Sequence, residues 1–215
     1  SLSLHPQLKP LTGALIIGCM GMAFPQIMGN GYHFIESVLN GSGSLFVLFA
    51  LVFCKIMATS ITLGSGGAGG TFAPTLFIGA MLGGAFGNFA NILFPSMTAA
   101  PGAYATVGIG AFLAASTHAP MTAIFLLFEM TGNYMIIVPV MLTSIISTMV
   151  AKKFYRDSID TVDFTREGID IHEGRETAIM KSILVGKAIT EEVDFISEKD
   201  SGSGVDASEI LESSN

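Results

Sequence analysis

The sequence predicts an all-α integral membrane protein that ends in a water-soluble, acidic tail. Three observations predict it. Of 215 residues, 50% are hydrophobic and only 13% charged, with a mean hydropathy of +0.62; soluble domains carry about 25% charged residues. The charge is segregated. Residues 1–155 hold four lysines against two glutamates, a net of +2, whereas residues 156–215 hold six basic and fifteen acidic residues, a net of −9. The third observation is a succession of apolar segments, some near the roughly 20 residues that cross a bilayer, others short or interrupted. The acidic balance argues against a nucleic-acid partner. Cys19 and Cys54 lie in apolar runs, form no CxxC pair and read as small core residues.

In chain order, 1–10 is a short polar lead-in that places Lys9 and Pro10 ahead of the first span. Leu11 to Met28 is about long enough to cross, with Pro25 set to kink or end it. Gly29 to Ser44 reads as a loop with one helical segment around Phe34, Ile35, Val38 and Leu39. Leu45 to Leu63 is a clean span containing Lys55. Thr75 to Phe94 is a helix carrying Gly79, Gly83 and Gly87 at four-residue spacing, a stripe that lets a second helix approach closely. Residues 95–102 turn. Ala103 to Ala115 is too short to cross alone, Pro120 opens a segment running to Met130, and Tyr134 to Ala151 is the last span, bent at Pro139. Short and interrupted segments of this kind suit a transporter fold of inverted repeats. Lys152, Lys153 and Arg156 follow the last span and favour a cytoplasmic exit.

The stretch from Gly64 to Pro74, GSGGAGGTFAP, organises the rest. Five of its eleven residues are glycine, each costing a helix about 1 kcal/mol against alanine, while Pro74 suits the first turn of the helix that follows. The backbone therefore breaks and restarts. Irregular backbone within a membrane is tolerated only where protein or a water-filled cavity satisfies it, and a helix that begins there aims free N–H groups and a positive dipole end at the occupant. The natural occupant is an anion. A flexible loop outside the membrane is the plainer alternative, opposed by the lack of charge in the stretch and by the long apolar segments on both sides.

These residues resemble the CLC family of chloride channels and proton-coupled chloride antiporters. Gly70-Thr71-Phe72-Ala73-Pro74 is similar to its GxFxP motif, and Gly64 to Gly87, Ala111 to Pro120 and Phe128 to Tyr134 resemble the family in the same order. The resemblance runs over roughly residues 8 to 170. It implies a fold of tilted and broken helices, of which this chain carries the second inverted repeat only, followed by an acidic cytoplasmic tail. It also implies a chloride channel or chloride/proton antiporter moving chloride or a similar anion, not an enzyme. The start at Ser1 fits a fragment, and the family's serine ligand, gating glutamate and proton-transfer glutamate belong to the upstream half. A non-transporting membrane scaffold with the same fold is the rival reading. The domains expected are 1–155, the membrane half; 156–184, a cytoplasmic helix and linker; and 185–215, a truncated CBS-like start with a serine- and acid-rich tail of disordered composition.

The resemblance also implies site residues. Chloride would be held by backbone N–H groups at Thr71 and Phe72, within the motif Gly70, Thr71, Phe72, Ala73 and Pro74. Amides hold an anion without fixing it as a full charge would, and a transported ion must also leave. The family's tyrosine ligand aligns with Asp160, in Ser158-Ile-Asp-Thr161. A carboxylate 4 Å from the ion would repel it by about 4 kcal/mol at an effective dielectric of 20, so Asp160 either departs from the family chemistry or caps the helix that follows. Tyr155 substitutes only if that helix starts earlier. Glu129 and Lys55, ionisable in apolar runs, suggest function by default. The resemblance makes Glu129 a buried structural carboxylate near a subunit contact, and Lys55 either pairs with a carboxylate or snorkels to the membrane edge. His118 either bonds a carbonyl at a helix break or transfers protons. No metal or cofactor is expected. The partners implied are chloride as transported ligand, the lipid bilayer, a second copy in a homodimer, the upstream half of the subunit and a nucleotide at a CBS pair.

Overall fold

The computed structural model describes residues 8–166, and helices account for its regular structure: α1 (Leu8–Ala23), α2 (Tyr32–Leu39), α3 (Leu45–Gly64), α4 (Phe72–Leu93), α5 (Pro101–Thr117), α6 (Pro120–Thr131), α7 (Ile137–Phe154) and α8 (Val162–Arg166), with 3-10 turns at Pro25–Ile27 and Tyr134–Ile136. One compact unit runs to Asp163; a second, Phe164–Asn215, is described only over 164–166, the end of α8. The linker and CBS-like start expected after residue 167 lie outside the described residues. Leu45–Gly64, Phe72–Leu93 and Tyr134–Phe154 are long and apolar enough to cross a membrane. The protein is an integral membrane protein.

Local chemistry explains most boundaries. Pro101 and Pro120 open α5 and α6, where a missing N–H costs nothing. Gly132, at φ 58°, closes α6, its N–H bonding Phe128 O. His118, at φ 56°, closes α5 as a left-handed residue. The expected helix break is therefore there.

Four expectations need correction. The first span is shorter than Leu11–Met28: α1 ends at Ala23 because Pro25 turns the chain into a 3-10 turn, leaving an apolar helix below spanning length. That helix starts at Leu8, so Lys9 and Pro10 lie inside its first turn. Pro139 does not bend the last span midway; the 3-10 turn Tyr134–Ile136 precedes it, and Pro139 falls in the first turn of α7. Glu129 is exposed on the single chain, because Ala123, Ile124 and Leu127 form the inward face of α6 and Glu129 stands opposite them.

Helix α4 is the centre of the fold. More than half of its apolar window is buried, against 28% for α3 and 17% for the last span. Its glycine stripe meets α5 backbone to backbone: a Cβ on Gly83 would stand 2.9 Å from Ala105 Cα, and one on Gly79 would stand 2.8 Å from Ile109 Cα. The close approach expected of that stripe is realised against α5. On another side α3 packs Leu48, Leu51, Val52, Lys55 and Ala58 inward, a run at 3.6-residue spacing. Helix α7 lies on α5 through hydroxyls, with Ser147 Oγ donating to Ala111 O at 2.9 Å and Thr148 Oγ1 to Ala114 O at 3.0 Å.

Candidate functional site

The glycine stretch breaks the helix where expected. Helix α3 ends at Gly64, Gly66 adopts φ 79°, and α4 restarts at Phe72 with Thr71 as its N-cap residue. The restart comes three residues before the expected Thr75, so Pro74 occupies the third helical position, still inside the turn whose N–H groups have no helical partner. The first hydrogen bonds of α4 run to Thr71 O, from Thr75 N at 3.1 Å and Thr75 Oγ1 at 2.7 Å. Thr71 offers no side-chain cap, and the first turn carries no acidic residue. Among the described residues the N–H groups of Gly70, Thr71, Phe72 and Ala73 donate to no backbone carbonyl outside the helix. This is an uncompensated positive helix end.

Beside it lies a cavity of about 430 Å³ whose walls include Gly69, Gly70, Ala73 and Pro74 from the break, Asn30 from the turn before α2, and Lys55 from α3. Thr71 and Phe72 flank it without lining it; Thr71 is half-buried, and Phe72 is 48% exposed on this chain.

Lys55 follows neither course expected of it. It is 3% exposed, and its Nζ donates to Ile27 O and Gly29 O, both at 2.8 Å, while lying 5.0 Å from the centroid of Phe77 on α4. Its place on the inward stripe of α3 prevents snorkelling, and among the described residues no carboxylate shares these contacts. Phe77 is fully buried and stacks on Phe34 at 6.2 Å. The ring fits because residue 31 is glycine: at φ 72° its missing Cβ would stand 2.6 Å from Phe77 Cδ2. These partners are what sequence reasoning missed. The available signal was a lysine inside a span facing a Gly29-Asn30-Gly31 turn.

Asp160 is not among the cavity's lining residues. It is exposed in the turn before α8, where Ser158 N donates to Thr161 Oγ1 at 2.9 Å, Val162 N to Ser158 O at 3.0 Å, and Ile159 N to Ser116 O at 2.9 Å. Hydroxyls thus organise this turn, which is tied to the end of α5. Tyr155 is exposed at the end of α7.

Comparison with known proteins agrees over most of this region. The family described as voltage gated chloride channel matches residues 1–152. A ClcB-like protein of Ralstonia nicotianae is 41% identical over 138 residues, covering 64% of this chain and 32% of that protein. The H(+)/Cl(-) exchange transporter ClcA of Vibrio campbellii is 40% identical over 145 residues, 66% of this chain and 31% of that one. Among solved structures, the crystal structure of a slow cyanobacterial Cl-/H+ antiporter matches with a TM-score of 0.57 at 34% identity, covering 62% of this chain and 31% of that chain. The chain spans about a third of the length of the relatives it matches.

Proposed function

We propose, from the premise that the chain belongs to the voltage gated chloride channel family, that it supplies the carboxy-terminal half of the membrane part of a protein moving chloride or a similar anion. The observation that carries this reading is the start of α4, where the N–H groups of Gly70 to Ala73 face no acceptor of the helix and no acidic side chain. Such a terminus attracts a negative charge and can release it again. In this reading the backbone N–H groups of Thr71 and Phe72 bind the ion, and Gly70, Ala73 and Pro74 shape the turn that presents them. The half-exposed ring of Phe72 becomes the dry wall of the path once the upstream half of the subunit covers it. Lys152 and Lys153, exposed at the end of α7, support a cytoplasmic tail. The functional unit would be a homodimer, and a CBS pair following the linker would bring a nucleotide ligand.

Chloride efflux from liposomes tests this. The complete subunit, with its upstream half, should release chloride, and the 215-residue chain alone should not, because half of the ion path is supplied by the other repeat. Efflux through the chain alone would refute the shared path. A silent complete subunit would point to a scaffold that keeps the fold without conducting.

Asp160 gives a separate expectation. If it stands where the family places a tyrosine hydroxyl, Asp160→Tyr removes a negative charge and adds a donor. Chloride should then bind the complete subunit at least tenfold more tightly at pH 7, read by calorimetry. Equal affinities from pH 5 to pH 8 would assign Asp160 to the turn alone.

A further inference from the structure

The span Tyr134–Phe154, 21 residues long, rises about 30 Å as helix, which is the thickness of the hydrocarbon core. Its last turn therefore stands at the level of the phospholipid headgroups. That turn carries Lys152 and Lys153, and Arg156 follows it; all three are exposed. From residue 56 to residue 151 the chain holds no lysine or arginine, so α4, α5 and α6 bring no such charge to either membrane surface. The three cations are also uncommitted: none of their side chains makes an ion pair or hydrogen bond among the described residues. Of the carboxylates that follow, Asp157 and Asp163 already have partners, Asp163 in the first turn of α8, which leaves the exposed Asp160. The end of α7 itself carries about half a negative charge, which a single lysine more than offsets. An excess of positive charge remains.

The surroundings suit a phospholipid rather than a solvated salt ion. Phe154 is 85% exposed and Tyr155 58%, and aromatic rings settle at headgroup level. Both line a cavity of about 440 Å³, together with Ala115, Ser116, Ala151 and Ile159. It lies between the ends of α5 and α7 and the turn that Ile159 N ties to Ser116 O at 2.9 Å. Val140, Ser144 and Thr148 form the buried stripe of α7, and Thr148 Oγ1 bonds Ala114 O on α5. Lys152 continues that stripe one turn further, where α5 has already ended at Thr117. The lysine is therefore released to the surface, and both lysines stand between Ala151 and Phe154 on the cavity's wall.

We propose that the end of α7 is a docking site for an anionic phospholipid, its phosphate held by Lys152, Lys153 and Arg156 and its glycerol end seated against Phe154 and Tyr155 in the cavity beside α5. The inference is independent of the transport reading: it requires only that α7 cross a membrane. The cavity is built wholly from residues 115–162, so the 215-residue chain contains all of it, unlike the transport path.

The test is electron spin resonance of spin-labelled phosphatidylglycerol and phosphatidylcholine, with the full 215-residue chain reconstituted in phosphatidylcholine vesicles. One basic residue near an anionic headgroup is worth about fivefold in binding. Averaged over the whole lipid boundary, the wild type should hold phosphatidylglycerol at least about threefold more strongly than phosphatidylcholine. The combined variant Lys152→Gln, Lys153→Gln, Arg156→Gln should bring that ratio close to one, whereas Lys152→Arg with Lys153→Arg should keep it. Phe154→Ala with Tyr155→Ala should lower it with every charge in place. All of these residues are exposed, so each variant should melt with the wild type. Should the glutamine variant fail to fold, the wild type still answers, because rising sodium chloride must erode the preference. Equal retention of the two lipids by the wild type would overturn the proposal. So would an unchanged preference in the glutamine variant, which would return the lysines to offsetting the end of α7. A preference abolished by inorganic phosphate, at an ionic strength where sodium chloride leaves it intact, would also overturn it and make the occupant a free phosphate.

Discussion

Gly108→Leu should destabilise the protein by about 3 kcal/mol or more. A Cβ at Gly108 would stand 2.6 Å from both Gly79 O and Gly83 Cα. Both are backbone atoms of α4, so no side chain can swing aside and the two helices must separate. Overpacking usually costs about 1–3 kcal/mol. Here separation also breaks the neighbouring contacts of Gly79 with Ile109 and of Gly87 with Pro101, which places the cost at the upper end. Small residues matter more in a membrane than in water, because lipid removes the hydrophobic drive for helix association and leaves close packing to hold the helices together. The measurement is the thermal unfolding midpoint in detergent, with size-exclusion homogeneity as a second readout. Gly18→Ala is the control. It adds a methyl group that meets no atom within 4 Å and improves helix propensity by about 1 kcal/mol, so it should melt at or above the wild type. A Gly108→Leu protein that melts with the wild type would contradict the α4–α5 packing.

Thr71→Pro should weaken chloride binding by the complete subunit about ten- to a hundredfold, the largest effect expected on function. Proline removes one N–H, and a hydrogen bond to a charged group is worth roughly 1.5–3 kcal/mol, with 1.4 kcal/mol per factor of ten. The substitution is otherwise mild. Thr71 O, which receives both Thr75 N and Thr75 Oγ1, is retained, and Gly70 tolerates the restriction that proline imposes on the residue before it. Thr71→Val keeps the N–H and removes only the hydroxyl, which makes no capping bond; its affinity should stay within about tenfold. The contrast between the two variants is the test, read by chloride titration. Valine as damaging as proline would move the ligand from the backbone to the side chain, and two unaffected variants would remove Thr71 from the site.

The sequence by itself determined where the chain breaks and restarts as helix, to within a few residues at most boundaries, because those signals are local; it ran the first span too far past Ala23. Five glycines between Gly64 and Pro74 break the chain. Prolines at 101 and 120 open helices, and most of the charge falls after residue 155. The glycine stripe on α4 was legible for the same reason, since four-residue spacing puts its members on one face. Its partner, the backbone of α5, was not.

Tertiary structure decided what the ionisable residues do. Lys55 and its acceptors are 26 and 28 residues apart, and no local pattern says that a turn after α1 will offer two carbonyls to the inward stripe of α3. Glu129 sits in an apolar run, like Lys55, yet faces outward. Hydropathy reports only that a segment is apolar; the rotation of each helix about its axis is set by its neighbours. That rotation buries Lys55 against Phe77 and leaves Glu129 on the surface.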